Sequence, residues 1–196
     1  MSLISEFLTT SFQNVRSKER TNRLHKAVLN EILNVNPEFA ELRWEFEYEL
    51  SEDAFGGTFD LDIVGFDDND EIKVVILVKA MNSNVNKNIK NYANTTIGEA
   101  ARLYHSPLAK NCKKILFVSL LPRVAPMFTT AGEIRGFDNV VAAKGRTKID
   151  HILRKQYNGV VEAIDLFYDI EDVRMKKHKS DFNEIKSSNL DKLVIS

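Results

Sequence analysis

The first hydrophobic pattern in the chain is that of a helix. Four apolar residues recur at spacings of three and four, as they do on one face of an α-helix. They are Leu24, Val28, Leu29 and Ile32. Pro37 cannot continue a helix, so residues 1–36 are predicted to be helical in one or two pieces.

Three later segments have the patterns of strands. Residues 43–50, RWEFEYEL, alternate strictly, which predicts a half-exposed strand with Trp44, Phe46 and Tyr48 on one face. Residues 73–80, KVVILVKA, and 113–122, KKILFVSLLP, are apolar almost throughout, as expected for strands covered on both faces. A further strand, 58–66, follows the bend predicted at Gly56-Gly57.

The remaining segments complete an α-β-β-β-α-β order. The asparagine-rich run 82–94 is predicted to be a loop that leads into a helix with Ile97, Ala100, Ala101 and Tyr104 on one face. Residues 123–150 are expected to be loop with one short strand, and 150–157 helix. No repeat or Pro/Gly-rich linker divides the chain. One domain over 1–196 is therefore predicted, with a core at about 20–170 and a basic, polar tail at about 171–196.

Composition limits the classes of function without selecting one. The 196 residues carry a net charge of −1, so any contact with nucleic acid must come from local basic clusters. The single cysteine, Cys112, excludes an internal disulfide and a multi-cysteine zinc site, and it is expected to be a packing residue. No segment has the pattern of a signal peptide or of a membrane span. A cytoplasmic protein without a membrane partner is expected.

Residues 58–80, TFDLDIVGFDDNDEIKVVILVKA, contain the candidate chemistry. Asp60 and Asp62 lie on one face of a predicted strand, and Lys79 ends the next strand. If the hairpin is symmetric about the polar turn, Asp60 lies opposite Leu77 and Asp62 opposite Val75. Two carboxylates and an amine then converge on one face. Carboxylate oxygens bind Mg²⁺, and a nearby lysine can orient water or stabilise charge on a phosphate.

This hairpin resembles the active-site hairpin of the PD-(D/E)xK nuclease superfamily, in particular its restriction-endonuclease-like members. The resemblance implies an α/β fold with a central mixed β-sheet flanked by helices. It also implies a Mg²⁺-dependent endonuclease acting on double-stranded DNA, compatible with a homodimer in which each subunit cuts one strand. Asp60 and Asp62 would bind metal and Lys79 would orient the nucleophilic water. The family has an acid two residues before the lysine, where this chain has Leu77.

Leu77 leaves several interpretations open. In the first, another acid replaces the missing ligand: Glu99 in GEAAR is the leading candidate, followed by Glu31 and then Glu47. In the second, Glu71-Ile72-Lys73 is the true motif, which the strand geometry disfavours because this segment lies next to the turn. In the third, the protein is an inactive nuclease-fold protein for DNA binding or assembly. A final interpretation is an unrelated α/β protein whose hairpin mimics the motif by chance.

DNA contacts are predicted from side chains that follow the lysine strand and from later basic residues. Asparagine amides can read base edges or bind phosphates, and lysines and arginines neutralise phosphates. The candidates are Asn82, Asn84, Asn86, Lys87, Asn88, Lys90, Asn91, Arg102, Lys144 and Arg146. The four histidines show no spacing that predicts a zinc site or a catalytic triad, and each is expected at the surface or at an edge.

Overall fold

The computed structural model describes residues 18–130, 134–141, 144–174 and 184–187. These ranges contain three helices: α1 (Lys18–Val35), α2 (Val85–Tyr104) and α3 (Lys144–Gln156). The strands are β1 (Arg43–Leu50), β2 (Phe59–Phe66), β3 (Ile72–Ala80), β4 (Lys114–Pro122), β5 (Val124–Phe128), β6 (Ile134–Asn139), β7 (Val161–Tyr168), β8 (Ile170–Arg174) and β9 (Glu184–Ser187). Short 3₁₀ helices occur at Pro37–Phe39 and Pro107–Lys110.

Five strands form a mixed sheet in the order β1-β2-β3-β4-β7. The pairs β1–β2 and β2–β3 are antiparallel, whereas β4 runs parallel to both β3 and β7. Two further pairs, β5–β6 and β8–β9, form separate two-stranded sheets. The predicted α/β class, with a mixed sheet flanked by helices, is confirmed, and so is the α-β-β-β-α-β order through β4.

The helices cover the two faces of the sheet with two apolar layers. On one face α1 packs its apolar stripe against β2, β3 and β4, with Val28 and Ile32 fully buried. On the other face α2 and α3 pack against the same strands around Leu61, Leu103 and Leu153. Burial of apolar surface on both faces stabilises the sheet and fixes which side chains remain at its edge.

Helix α2 begins earlier than the sequence pattern predicts. The run 82–94 was expected to be a loop, but the helix starts at Val85 and includes most of the asparagines. Val85, Tyr92 and Thr96 are buried at spacings of seven and four residues, which continues the stripe of Ala100 and Leu103. The loop prediction was wrong because asparagine's turn preference gave way to this apolar stripe.

Strand β1 has the predicted bounds but not the predicted faces. Trp44 and Phe46 pack on the α1 side, whereas Tyr48 packs on the α2 side. The switch occurs at Glu47, whose φ of 54° is in the left-handed region. The strict alternation predicted for Trp44, Phe46 and Tyr48 was therefore wrong, because one left-handed residue rotates the strand.

The segment after β4 is more regular than expected. Residues 123–150 contain the β5–β6 hairpin as well as the start of α3, which begins six residues before the predicted helix at 150. The helical prediction for 1–36 holds for Lys18–Val35, and residues 1–17 lie outside the described part. Most of the predicted basic tail also lies outside it, apart from the strand residues of β8 and β9.

Candidate functional site

The β2–β3 hairpin is closed by a five-residue turn, which changes its register. The Asp67 carboxylate accepts hydrogen bonds from the backbone N–H groups of Asn69 and Glu71, and Asp70 has a φ of 57°. In the resulting register Val64 pairs with Val75. Continued along the strands, this register places Asp62 opposite Leu77, not opposite Val75. The symmetric pairing was wrong by two residues because the aspartate-stabilised turn spans five residues and a bulge between Gly65 and Phe66 shifts the register by one more.

Asp62 lies where β2 and β3 cease to pair. The last paired residues are Ile63 and Ile76, and beyond them the Asp62 Oδ2 atom accepts a hydrogen bond from the Val78 N–H at 2.6 Å. A side-chain carboxylate thus replaces a backbone acceptor in the ladder. Burial raises the pKa of Asp62 above its usual range, although this bond and the Lys79 ammonium favour the charged form.

The opening between these strands leads into a pocket of about 330 Å³ beneath α2. All four residues of the main sequence-based site line it: Asp60, Asp62, Lys79 and Glu99. They come from β2, β3 and α2, so the fold brings together side chains up to 39 positions apart in the chain. The predicted convergence of the two aspartates, the lysine and the leading replacement acid is found.

Lys79 and Glu99 face each other across the pocket. The Lys79 Nζ atom lies 3.9 Å from a Glu99 carboxylate oxygen. Burial raises the pKa of Glu99, the Lys79 charge opposes this effect, and the charge on Asp62 adds to it. The leading replacement acid of the sequence analysis thus lies beside Lys79 in the structure.

Leu77 also lines the pocket, yet it belongs to the core. It is 9% exposed and packs in the apolar layer beneath α2. Its hydrocarbon side chain therefore forms an apolar wall next to the carboxylates. Position 77 therefore offers no atom that could bind a metal, whereas the family that the hairpin resembles has an acid there.

Arg102 is held by the loop that precedes β2. Its guanidinium donates to the Asp53 carboxylate and its Cζ atom lies 4.6 Å above the ring centroid of Phe59. The Asp53 pKa is lowered by the Phe55 N–H and by Arg102. Arg102 thus fixes the loop at one wall of the pocket, which leaves it less available for the predicted DNA contact.

Asp62 has a second set of neighbours on the α1 side. His25, Glu47 and Asp62 each present a ligand atom, and these three atoms lie within 4.8 Å of one another. The sequence predicts His25 at the surface or at an edge, but it is 2% exposed. A signal was present, since His25 precedes Leu29 by four residues and Ile32 by seven and so continues the apolar stripe of α1.

The other acidic candidates are not brought to the pocket. Glu31 lies on α1 and is not among the residues that line the pocket. In the alternative motif, the Lys73 Nζ atom pairs with Glu71 at 2.6 Å and with Asp67 at 3.1 Å. That motif belongs to the turn, as the strand geometry indicated.

The carboxylates of the pocket fit a magnesium ion only if one or two of them bind it directly. Among the described residues, the predicted trio of Asp60, Asp62 and Glu99 does not bring three ligand atoms within 4.8 Å of one another. Mg²⁺ is commonly held by one or two carboxylates, with water and phosphate oxygens completing its shell. Asp62 with one further carboxylate of the pocket meets that requirement.

The asparagine-rich run presents an exposed helical face, not a loop. Lys87, Lys90 and Asn91 are exposed near the start of α2. Two of the asparagines, Asn84 and Asn86, contact the β5–β6 hairpin: the Asn84 side-chain oxygen accepts from the Phe128 N–H, and the Asn86 N–H donates to Asp138. Lys144 and Arg146 begin α3, and their side chains lie outside the described part.

Comparison with known proteins adds no family to this picture. No family model, curated protein or solved structure matches the chain. Among the described residues, no helix combines the length and apolar character needed to cross a membrane.

Proposed function

We propose that this protein is a Mg²⁺-dependent endonuclease that hydrolyses phosphodiester bonds in double-stranded DNA. The observation that carries the proposal is the meeting of Asp60, Asp62, Lys79 and Glu99 in one pocket where β2 and β3 separate. Burial raises the pKa values of Asp62 and Glu99, and a cleft in which such carboxylates meet a lysine is typical of a catalytic site.

Each side chain has a role that follows from its position. Asp62, fixed by the Val78 N–H, would be the central metal ligand, with Asp60 or Glu99 beside it. When bound, Mg²⁺ would supply charge stabilisation for the phosphate and lower the pKa of a bound water. Lys79, at the end of β3, is positioned to orient the attacking water or to stabilise the phosphate oxygens.

The pocket is large enough for a backbone phosphate and too small for a whole duplex. A volume of about 330 Å³ accommodates a phosphate group with several waters, since a water occupies about 30 Å³. DNA would therefore lie across the opening with one phosphate inserted. Lys87 and Lys90 on α2 are exposed and could neutralise neighbouring phosphates.

Cleavage of plasmid and linear duplex DNA in Mg²⁺ or Mn²⁺ tests the proposal. We expect Asp62→Asn and Lys79→Met to reduce the rate by at least 100-fold, a loss typical of essential catalytic groups. Asp68→Asn, in the exposed turn of the same hairpin, and Lys113→Met, an exposed lysine before β4, should leave the rate unchanged. Cleavage that survives both pocket substitutions would rule out this site.

Leu77 favours a second candidate, a nuclease-fold protein that binds DNA without cutting it. The apolar packing of Leu77 leaves the pocket without the carboxylate that the resembling family uses. In the same assay this candidate predicts DNA retention in a gel shift at low salt and no cleavage with either cation. A protein that neither retains DNA in the gel shift nor cleaves it would contradict both proposals.

A further inference from the structure

We propose that His25, Glu47 and Asp62 form a binding site for a divalent transition-metal ion of the Mn²⁺ or Zn²⁺ class. This site lies on the α1 side of the sheet, and Asp62 is its only residue in common with the proposed nuclease pocket. The inference concerns metal binding in the absence of DNA, so it does not depend on phosphodiester cleavage.

The state of the His25 imidazole is the first observation. The side chain is 98% buried, and its Nδ1 atom makes no hydrogen bond within the described part of the chain. The Glu47 Oε1 atom lies 3.1 Å from this nitrogen, an ion-pair distance without hydrogen-bond geometry. A buried ring nitrogen that faces carboxylates without a hydrogen bond has the arrangement expected of a metal ligand lacking its metal.

The span of the three ligand atoms is the second observation. His25, Glu47 and Asp62 present one nitrogen and two oxygens within 4.8 Å of one another. Ligands at about 2.1 Å from one ion lie at most about 4.2 Å apart, so a small side-chain adjustment is enough to close the site.

The backbone conformation of Glu47 positions its carboxylate at this site. Its left-handed φ of 54° lies in the middle of a strand, where a non-glycine residue rarely adopts it. Regular alternation would place Glu47 on the side opposite Phe46, away from α1. The left-handed conformation instead brings its carboxylate to His25 on α1.

The donor set indicates the class of cation. One imidazole nitrogen with two carboxylate oxygens suits Zn²⁺ and Mn²⁺, whereas Mg²⁺ prefers oxygen ligands alone. Three protein ligands leave coordination positions for water, as in catalytic sites and unlike closed structural ones. The Glu47 side chain is 34% exposed, which gives an ion a route to the site.

Titration of metal-stripped protein with Mn²⁺, Zn²⁺ and Mg²⁺, by calorimetry and by Mn²⁺ electron paramagnetic resonance, tests the inference. We expect wild type to bind one Mn²⁺ or Zn²⁺ at least tenfold more tightly than Mg²⁺, and Glu47→Gln to weaken Mn²⁺ and Zn²⁺ binding at least tenfold. Glu49→Gln, an exposed glutamate two residues along the same strand, is the matched control and should bind as wild type does. His25→Ala should also lose binding, and Glu47→Gln decides the question if the buried substitution prevents folding.

Glu99→Gln separates this site from the nuclease pocket. We expect it to keep Mn²⁺ binding, because Glu99 is not one of the three ligands. Binding that is lost in Glu99→Gln but kept in Glu47→Gln would place the ion in the pocket and overturn the inference, as would a wild type that binds neither Mn²⁺ nor Zn²⁺. A protein that binds Mn²⁺ through Glu47 but does not cut DNA would refute the proposed nuclease function and leave this site intact.

Discussion

At the scale of single residues, Asp62 belongs both to the proposed nuclease pocket and to the proposed metal site. Its carboxylate completes the β2–β3 ladder through Val78, lines the pocket that contains Lys79, and lies within reach of His25 and Glu47. The sequence pattern identified Asp62 and Lys79 because strand periodicity decides the face of each. It did not identify the approach of Glu47 to His25, since that approach depends on the left-handed conformation of Glu47, which no periodicity predicts.

Leu77 gives a prediction at this scale. It is buried in the apolar layer, so Leu77→Ala should lower the free energy of unfolding by about 2–4 kcal/mol. In the presence of a chelator, Leu77→Glu should lower the free energy of unfolding by more than Leu77→Ala does. The reason is that it adds a carboxylate beside Asp62 and Glu99 in a partly buried site. Mg²⁺ or Mn²⁺ should recover part of that loss if the new carboxylate binds the ion.

Urea unfolding of both variants, with and without cation, measures these differences. Leu77→Met serves as the control, because a volume-conserving apolar change should cost less than about 1.5 kcal/mol. Equal effects of cation on Leu77→Glu and Leu77→Ala would show that position 77 does not face a cation site.

At the scale of elements, the strands were more predictable than the helix that borders the site. β1 follows an alternating pattern and β3 and β4 follow apolar runs, and each is long enough to outweigh local preferences. The start of α2 was hidden because asparagine has a low helix propensity and favours turns, and only tertiary burial of Val85 and Tyr92 decides the matter. The hairpin register was missed because the Asp67 side chain stabilises a five-residue turn and a bulge between Gly65 and Phe66 shifts the pairing further.

Helix α2 gives a prediction about DNA binding. Its first turns expose Lys87 and Lys90 near the strand end that carries Lys79. If this face contacts DNA phosphates, Lys87→Ala with Lys90→Ala should weaken binding and reduce the slope of log K against log salt by about 2, or about 1 for each lost contact. The measurement is fluorescence anisotropy with a labelled duplex at several salt concentrations.

A matched pair of lysines controls for the change in net charge. Lys110→Ala with Lys113→Ala removes the same charge from exposed positions before β4, at the other end of the α2–β4 layer. This variant should keep the wild-type slope. If both double variants change the slope equally, long-range charge and not the α2 face determines binding.

At the scale of the whole molecule, the burial of acidic side chains at the site lowers the stability of the fold. The sheet and its two apolar layers hold Asp62 and Glu99 in a partly buried pocket, where burial disfavours their charged forms. Sequence composition could not predict this cost, because a net charge of −1 says nothing about which acids are desolvated. A protein built to bind a cation there would be less stable without one.

The pH dependence of Asp62→Asn tests this conclusion. A folded-state pKa above the unfolded one means that the ionised carboxylate opposes folding. The penalty is absent at low pH, appears as the pH rises through the unfolded-state value of about 4, and is complete above the folded-state pKa. Asparagine keeps an oxygen that can accept from the Val78 N–H and has no charge to desolvate. In a chelating buffer Asp62→Asn should therefore melt at a higher temperature than wild type at pH 7, and the difference should shrink towards pH 3.5.

Thermal unfolding across that pH range, with Asp68→Asn as the exposed control, gives the measurement. Asp68 lies in the solvent-facing turn, so its substitution should leave the melting temperature nearly unchanged at every pH. Saturating Mn²⁺ should raise the melting temperature of wild type more than that of Asp62→Asn, because the cation binds the charged form. A stabilising effect of Asp62→Asn that is the same at all pH values would mean that packing, and not the buried charge, sets the difference.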